Sequence, residues 1–280
     1  MNDLLASVPP LPDDTTPQNG LGPAAAAPAP QLLLLGPVEV AGATGVVEPT
    51  KKARLTELAA ILAIHPGCDH TTIDACYFPG QRVNDNARNT QMSKLRRWLG
   101  KTSTGEDFLP RYQCLAGYRL HKEVTSDWDS WHDLLPAGPA AAPTESLEQA
   151  LSLVRGRPFD GVRSRRYAWA ETLKQQMISA IVDAAYELAR RRLMEGQWRA
   201  AEAAVVTGLS VEPGMERLWR ARILAAYAGG NQVALQEAVD RLLAIAGDLG
   251  GDLEQPTEDL LEQLVAKTPL QLRGRGGHTR

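Results

Sequence analysis

The chain is poor in the residues that staple, anchor or export a protein. Its 280 residues hold three cysteines, Cys68, Cys76 and Cys114. That count is too low and too odd for a disulfide framework, and it points to free thiols in a reducing compartment. Apolar runs such as Leu32 to Leu35 and Leu58 to Ile64 fall far short of the ~20 residues of a membrane-spanning helix. The N-terminus, MNDLLASVPPLPDD, has neither the positive region nor the apolar core of a signal peptide. A soluble, cytoplasmic chain with no membrane contact of its own is expected.

Catalytic patterns are also missing. The five histidines, His65, His70, His121, His132 and His278, form no H-E-x-x-H and no metal pair at helical spacing. No G-x-S-x-G occurs, and the GRGG at 274–277 follows no strand and opens no helix. Cys68, His70 and Cys76 lack a paired C-x-x-C and a fourth ligand. Asp127, Trp128 and Asp129 read as a cap and a packing tryptophan at a domain junction rather than as an acid pair. Neither an enzyme nor a metal or cofactor is expected.

What is present is unevenly distributed. The net charge is −3, which excludes a uniformly basic nucleic-acid binder. Residues 1–50 contain no Lys or Arg and 5 acids, whereas residues 51–122 contain 12 basic and 6 acidic residues, a local charge of +6. Residues 123–265 return to −8, and the last 15 residues carry +4. A basic module joined to an acidic one suggests an anionic partner for the first alone.

Residues 1–30 are rich in Pro, Ala, Asp and Thr and read as a disordered linker, and 267–280 as a disordered basic tail. Between them the pattern changes once. Residues 31–49 (QLLLLGPVEVAGATGVVEP) look like short strands broken by Gly and Pro. Thr50 is placed to cap a helix over 51–65 with Leu55, Leu58, Ala59 and Leu62 on one stripe. Thr71 or Thr72 starts a short helix that ends at Pro79-Gly80. A third helix runs from Asn84 to Leu99, and FLPRYQ and GYRLHK make a hairpin around Cys114 to Ala116. Strands, three helices and a hairpin are the order of a winged helix.

The third helix, NDNARNTQMSKLRRWLG, has an unusual outer face. Met92, Leu95 and Leu99 form a thin apolar stripe. Opposite them lie Asn86, Thr90, Ser93 and Arg97, flanked by Asn89, Lys94 and Arg96, and no carboxylate follows Asp85. A merely solvated face mixes Glu with Lys. Amides, hydroxyls and cations without acids suit the edges of bases and the phosphates of a major groove.

From Trp128 to about Ala266 the period is helical throughout. Gly196-Gln-Trp-Arg-Ala200-Ala201 precedes Gly230-Asn-Gln-Val-Ala234-Leu235 by 34 residues, and Leu209 precedes Leu243 by the same interval. A 34-residue period with small residues inside is the tetratricopeptide signature. Trp169, Trp198 and Trp219 fall in or beside apolar stripes and are expected to pack rather than to stack on a ligand.

Taken together, LLLLGPVEV at 32–40, KKARLTELAAILAIHPG at 51–67, MSKLRRWLG at 92–100 and GYRL at 117–120, with GRPFDGV at 156–162, YAWAE at 167–171 and ERLWRARILAAYAGGN at 216–231, carry a resemblance. The chain resembles actinobacterial regulators of the Streptomyces antibiotic regulatory protein class. In these an OmpR-like winged helix precedes a bacterial transcriptional activator domain of tetratricopeptide-like helices. The resemblance also extends to the C-terminal regions of larger membrane-anchored proteins with LysM modules.

The resemblance implies an α+β winged-helix domain over 31–122 and an all-α repeat domain over 123–266. It implies groove-facing cations at Lys94 and Arg96 and a wing at Gly117 and Tyr118. The expected DNA-contacting set is Asn86, Asn89, Thr90, Ser93, Lys94, Arg96, Arg97, Arg111, Tyr118 and Arg119. Double-stranded DNA is the expected partner, with RNA polymerase or other proteins, and a second copy of the chain, as candidates for the helical half. Where the family often carries an arginine before the wing glycines, Cys114-Leu115-Ala116 stands instead. The competing expectation is a protein-interaction module whose winged helix has lost DNA binding, held in a larger membrane-associated assembly.

Overall fold

The computed structural model describes residues 29–160 and 166–267; all but the last two residues of the linker expected over 1–30, and all but the first of the basic tail expected over 267–280, lie outside them. A small sheet opens the fold. Strand β1 (Gln31–Leu33) pairs antiparallel with β2 (Glu39–Ala41), Leu32 opposite Val40. It also pairs in parallel with β3 (Thr125–Ser126), giving the order β2-β1-β3. The sheet thus draws in residues beyond the boundary expected at 122. Leu32, Leu34 and Leu35 are buried under it.

Three helices follow. Helix α1 (Pro49–Ile64) begins one residue before the expected cap: Glu48 is the N-cap, and Pro49 opens the helix, where its missing N–H costs nothing. Helix α2 (His70–Tyr77) is capped by Asp69, which accepts a 2.8 Å bond from Thr72 N, rather than by a threonine. Helix α3 (Asp85–Leu99) is capped by Asn84, whose Oδ1 accepts from Ala87 N at 2.8 Å.

The stripe expected on α1 is buried, and so is the rest of its middle: Leu55 through Leu62 are all below the surface, Thr56 and Glu57 included. A helix half-covered by its own sheet and α2 and α3 would leave one face wet. The helical half covers that face, with Arg166 beside Glu57 and the rings of Trp169 and His65 5.9 Å apart.

The helical half comprises α4 (Asp127–Leu134), α5 (Thr144–Ser152), a short 3-10 turn (Ala168–Ala170), α6 (Glu171–Met194), α7 (Trp198–Val211), α8 (Glu216–Ala228), α9 (Gln232–Leu249) and α10 (Gln255–Lys267). Helices α7 and α9 start 34 residues apart, as the repeat predicts. Small residues allow the helices to close on one another. A Cβ on Gly208 would sit 2.6 Å from Leu218 and 2.8 Å from Ala185, so only glycine fits where α7 crosses α6 and α8. Trp219 is buried, with Nε1 donating to Pro213 O at 2.8 Å. Trp169 and Trp198 are half-buried against the same core.

One hydrophobic core runs from Leu32 to Leu264 without a break. Polar clamps fix the junction between its halves. The buried Asp127 carboxylate accepts from Leu34 N at 2.7 Å and Leu35 N at 3.0 Å. Burial raises its pKa against the pull of those two amides. Arg155 N donates to Leu35 O at 2.7 Å, and its guanidinium reaches Pro37 O and Glu39. Ser126 and Asp129 form a reciprocal capping box at the start of α4, so the capping residues of this junction are Ser126 and Asp129, with Asp127 turned to the sheet.

Candidate nucleic-acid interface

Helix α3 divides cleanly around its axis. Met92, Leu95, Trp98 and Leu99 are buried, together with Arg88. Asn86, Asn89, Thr90, Ser93 and Arg97 are exposed along the opposite side. At ~100° per residue these five fall within about a third of a turn of one another. Thr90 Oγ1 donates to Asn86 O at 2.7 Å, which fixes the hydroxyl and leaves its lone pairs outward. Lys94 stands at the edge of the strip, half-buried. A carboxylate does approach it from another segment: the exposed Glu48 is held below its ordinary pKa chiefly by its hydrogen bond with Lys51, and in smaller part by the charge of Lys94.

Arg88 was not anticipated as a structural residue. Its Nε donates to Asp74 Oδ1 at 2.8 Å, Nη2 to Asp74 Oδ2, and Nη1 to Asp85 Oδ1 at 2.7 Å. The forked guanidinium therefore locks α3 onto α2, as bidentate geometry allows. The Asp85/Arg88 spacing of three residues was visible in the sequence; Asp74, 14 residues away, was not.

Two of the expected contact residues lie elsewhere than on the outer face. Arg96 turns sideways: Nε donates to Leu109 O at 2.7 Å, Nη2 to Pro110 O at 3.3 Å, and Asp107 is 3.7 Å away. It pins the segment leading into the wing. Tyr118 is buried, its ring 5.5 Å from His70 and 4.9 Å from Tyr112, so it anchors the wing and has no route to a phosphate. Burial raises its phenol pKa. Arg111 and Arg119 are exposed on the two legs of the wing.

The wing itself is smaller than expected. The hairpin reduces to a bridge between Gln113 and Gly117 around Cys114-Leu115-Ala116, and a second bridge joins Tyr118 to Cys68. Cys68 is buried, Cys76 half-buried and Cys114 exposed, all as free thiols; burial pushes the Cys68 thiol up to about 11.

A second surface lies in the helical half. Tyr186, Leu193, Met194 and Leu224 line an open cavity of about 490 Å³, with Arg217 and Arg220 on its rim. Both arginines are already engaged across one repeat interval: Arg217 pairs with Asp183 and Arg220 with Glu254, each 34 residues away. Among the described residues no cluster of His, Cys, Asp or Glu is arranged to hold a metal, and no helix is long and apolar enough to cross a membrane.

Residues 130–265 match the family model of the bacterial transcriptional activator domain. A comparison with curated proteins finds no match. Among solved structures, Mycobacterium tuberculosis EmbR, determined in complex with a low-affinity phosphopeptide, has the same fold at a TM-score of 0.61 and 23% identity. That likeness spans 87% of this chain and 67% of the other. Residues 130–265 thus match the bacterial transcriptional activator domain, and with the winged helix in front of them the chain shares the fold of the EmbR structure.

Proposed function

We propose that the chain binds double-stranded DNA through α3 and activates transcription through protein contacts made by its helical half, acting in the cytoplasm where its three thiols stay reduced. The observation that carries the DNA reading is the strip of Asn86, Asn89, Thr90, Ser93 and Arg97, exposed along one side of a helix whose other side is locked by Met92, Leu95, Leu99 and the Arg88 clamp. Arg97 and Lys94 supply charge, the amides and hydroxyls supply base-edge contacts, and the exposed Arg82, Arg111 and Arg119 lie on the adjoining loops as phosphate contacts. Arg96 and Tyr118 hold this surface in shape. RNA polymerase is the protein partner such a regulator requires.

The test is affinity for a site selected from random duplexes, measured across a salt series. A slope of log affinity against log salt corresponding to several phosphate contacts is expected. Absence of binding at low salt would return the chain to the protein-interaction reading, which the sideways turn of Arg96 and the uncharged wing tip favour.

A further inference from the structure

Two hydroxyls at the junction of the halves are left without partners. Thr56 is 5% exposed and Tyr167 7%, yet among the described residues neither hydroxyl has a hydrogen-bond partner. Neither oxygen is sealed inside the core. A threonine within a helix has an acceptor ready in the carbonyl one turn back. Thr90 and Thr207 use it, donating to Asn86 O at 2.7 Å and to Ala203 O at 3.3 Å. Thr56 does not. A polar group withdrawn from bulk water costs stability unless something meets it.

Both residues line a cavity of about 240 Å³ between β2, the first two turns of α1 and the segment entering the helical half. Lys52 lines it too, one turn before Thr56 on the same face of α1. It is exposed, and no carboxylate pairs with it among the described residues. Arg166 closes the other side. Its guanidinium makes no hydrogen bond to a described residue, and its ion pair with Glu57 is a loose 3.8 Å. Glu39, the acid on the rim, is already held by Arg155 at 3.2 Å. Glu57 is buried, and burial pushes its carboxyl up to about 7, which lessens its opposition to an anion.

The unengaged side chains around this space are thus two hydroxyls, an ammonium and a guanidinium, all of them donors. A carboxylate would offer them two oxygens. A phosphate offers three or more and a larger charge. The volume is below the ~300 Å³ at which sites for drug-sized ligands begin, so it suits a phosphate with at most a short carbon stem.

We propose that this cavity binds a phosphate group, free or carried on a small metabolite, through Lys52, Thr56, Arg166 and Tyr167. Lys52 and Thr56 belong to the winged-helix half, and Arg166 and Tyr167 lead into the helical half, so the bound anion bridges the two. The site is separate from the exposed strip of α3 and does not depend on DNA recognition there.

The experiment is isothermal titration calorimetry on the full chain, with ionic strength held constant by sodium chloride. Inorganic phosphate, glycerol phosphate and acetate are titrated in turn. Saturable binding of phosphate or of its glycerol ester at a single site is expected, with acetate much weaker. Tighter binding of the ester assigns the site to a metabolite, and tighter binding of inorganic phosphate assigns it to the free ion. Thr56→Val and Tyr167→Phe each remove one hydroxyl and keep the shape, and each is expected to weaken binding about tenfold or more, the order of one hydrogen bond to a charged group. Lys52→Ala, at an exposed position, is expected to do the same. Lys101→Ala, exposed outside the cavity, binds as the parent does. Circular dichroism checks that each variant is folded. If the parent takes up neither phosphate, or if acetate binds as tightly, the proposal is wrong. It is equally wrong if the folded cavity variants bind as the parent does, since the hydroxyls then face only water.

Discussion

In the helical half, the buried residues of α6 to α9 are apolar or glycine without exception, and Gly208 brings α7 within contact of Leu218 and Ala185. Arginines bridge elements at the surface of both halves, but the winged-helix half also buries Thr56, Glu57, Arg88 and Thr102, and three of its arginines tie its short elements together. Arg54 bonds Glu57 at 2.7 Å and Tyr77 O at 2.8 Å, joining α1 to α2; Arg88 joins α2 to α3; Arg96 joins α3 to the wing. Apolar repeats need only a period and small residues to stack. Short elements that must present one helix at a defined angle use forked guanidinium bonds, which specify orientation as well as proximity. The helical half is built for repetition and the winged-helix half for aim.

The comparison is sharpest for a large truncation in the helical half. Trp219→Ala removes a buried ring and the bond from Nε1 to Pro213 O and should cost about 3–5 kcal/mol in denaturant unfolding. Below its melting temperature the variant should keep its affinity for DNA. Arg88→Ala should cost less, about 2–3 kcal/mol, because Asp74 keeps some access to water and its stranded charge is partly solvated. Its DNA affinity should nevertheless fall several-fold, since α3 loses its fixed angle on α2. Equal losses of affinity in the two variants would erase the distinction between a half that stacks and a half that aims.

The junction supplies a third, smaller effect. Burial pushes the Glu57 carboxyl from 4.5 up to about 7, against the opposing charges of Arg54 and Arg166. The folded state therefore binds this proton more tightly than the unfolded chain does. Stability should fall as pH rises through the window from about 4.5 to 7, by about 1–3 kcal/mol from this group. Glu57→Gln should flatten that part of the profile, as thermal unfolding at stepped pH would show. An unchanged slope would mean that Glu57 stays ionised across the window.

The same contrast explains what could be read from the sequence. The helices from α5 to α10 follow from periodicity and the 34-residue repeat, because apolar spacing is a local signal. The order of the winged helix, the start of α3 at Asn84 and its apolar stripe were legible for the same reason. Polar clamps were not. Asp127 lies 93 residues from Leu34, and Arg88 lies 14 from Asp74; nothing local marks such partners. Arg96 and Tyr118 were expected as contact residues from the positions the family resemblance gives them, yet Arg96 bonds Leu109 and Pro110 and Tyr118 is buried in the aromatic cluster. The burial of α1 on all sides was hidden because the covering surface comes from residues near Trp169, more than a hundred positions along the chain.

The central claim is that the exposed strip of α3 reads DNA, and the direct measurement is the salt dependence of affinity for a selected duplex with Arg97→Ala and Lys94→Ala beside the parent. Losing a base contact should cost about 1–3 kcal/mol and relax preference at one position. Losing a phosphate contact should weaken all sequences alike and lower the salt slope by about one. Arg97 lies within the strip and Lys94 at its edge beside Glu48, so Arg97→Ala should show the first signature and Lys94→Ala the second. Parent-like affinity and slope in both folded variants would contradict the account.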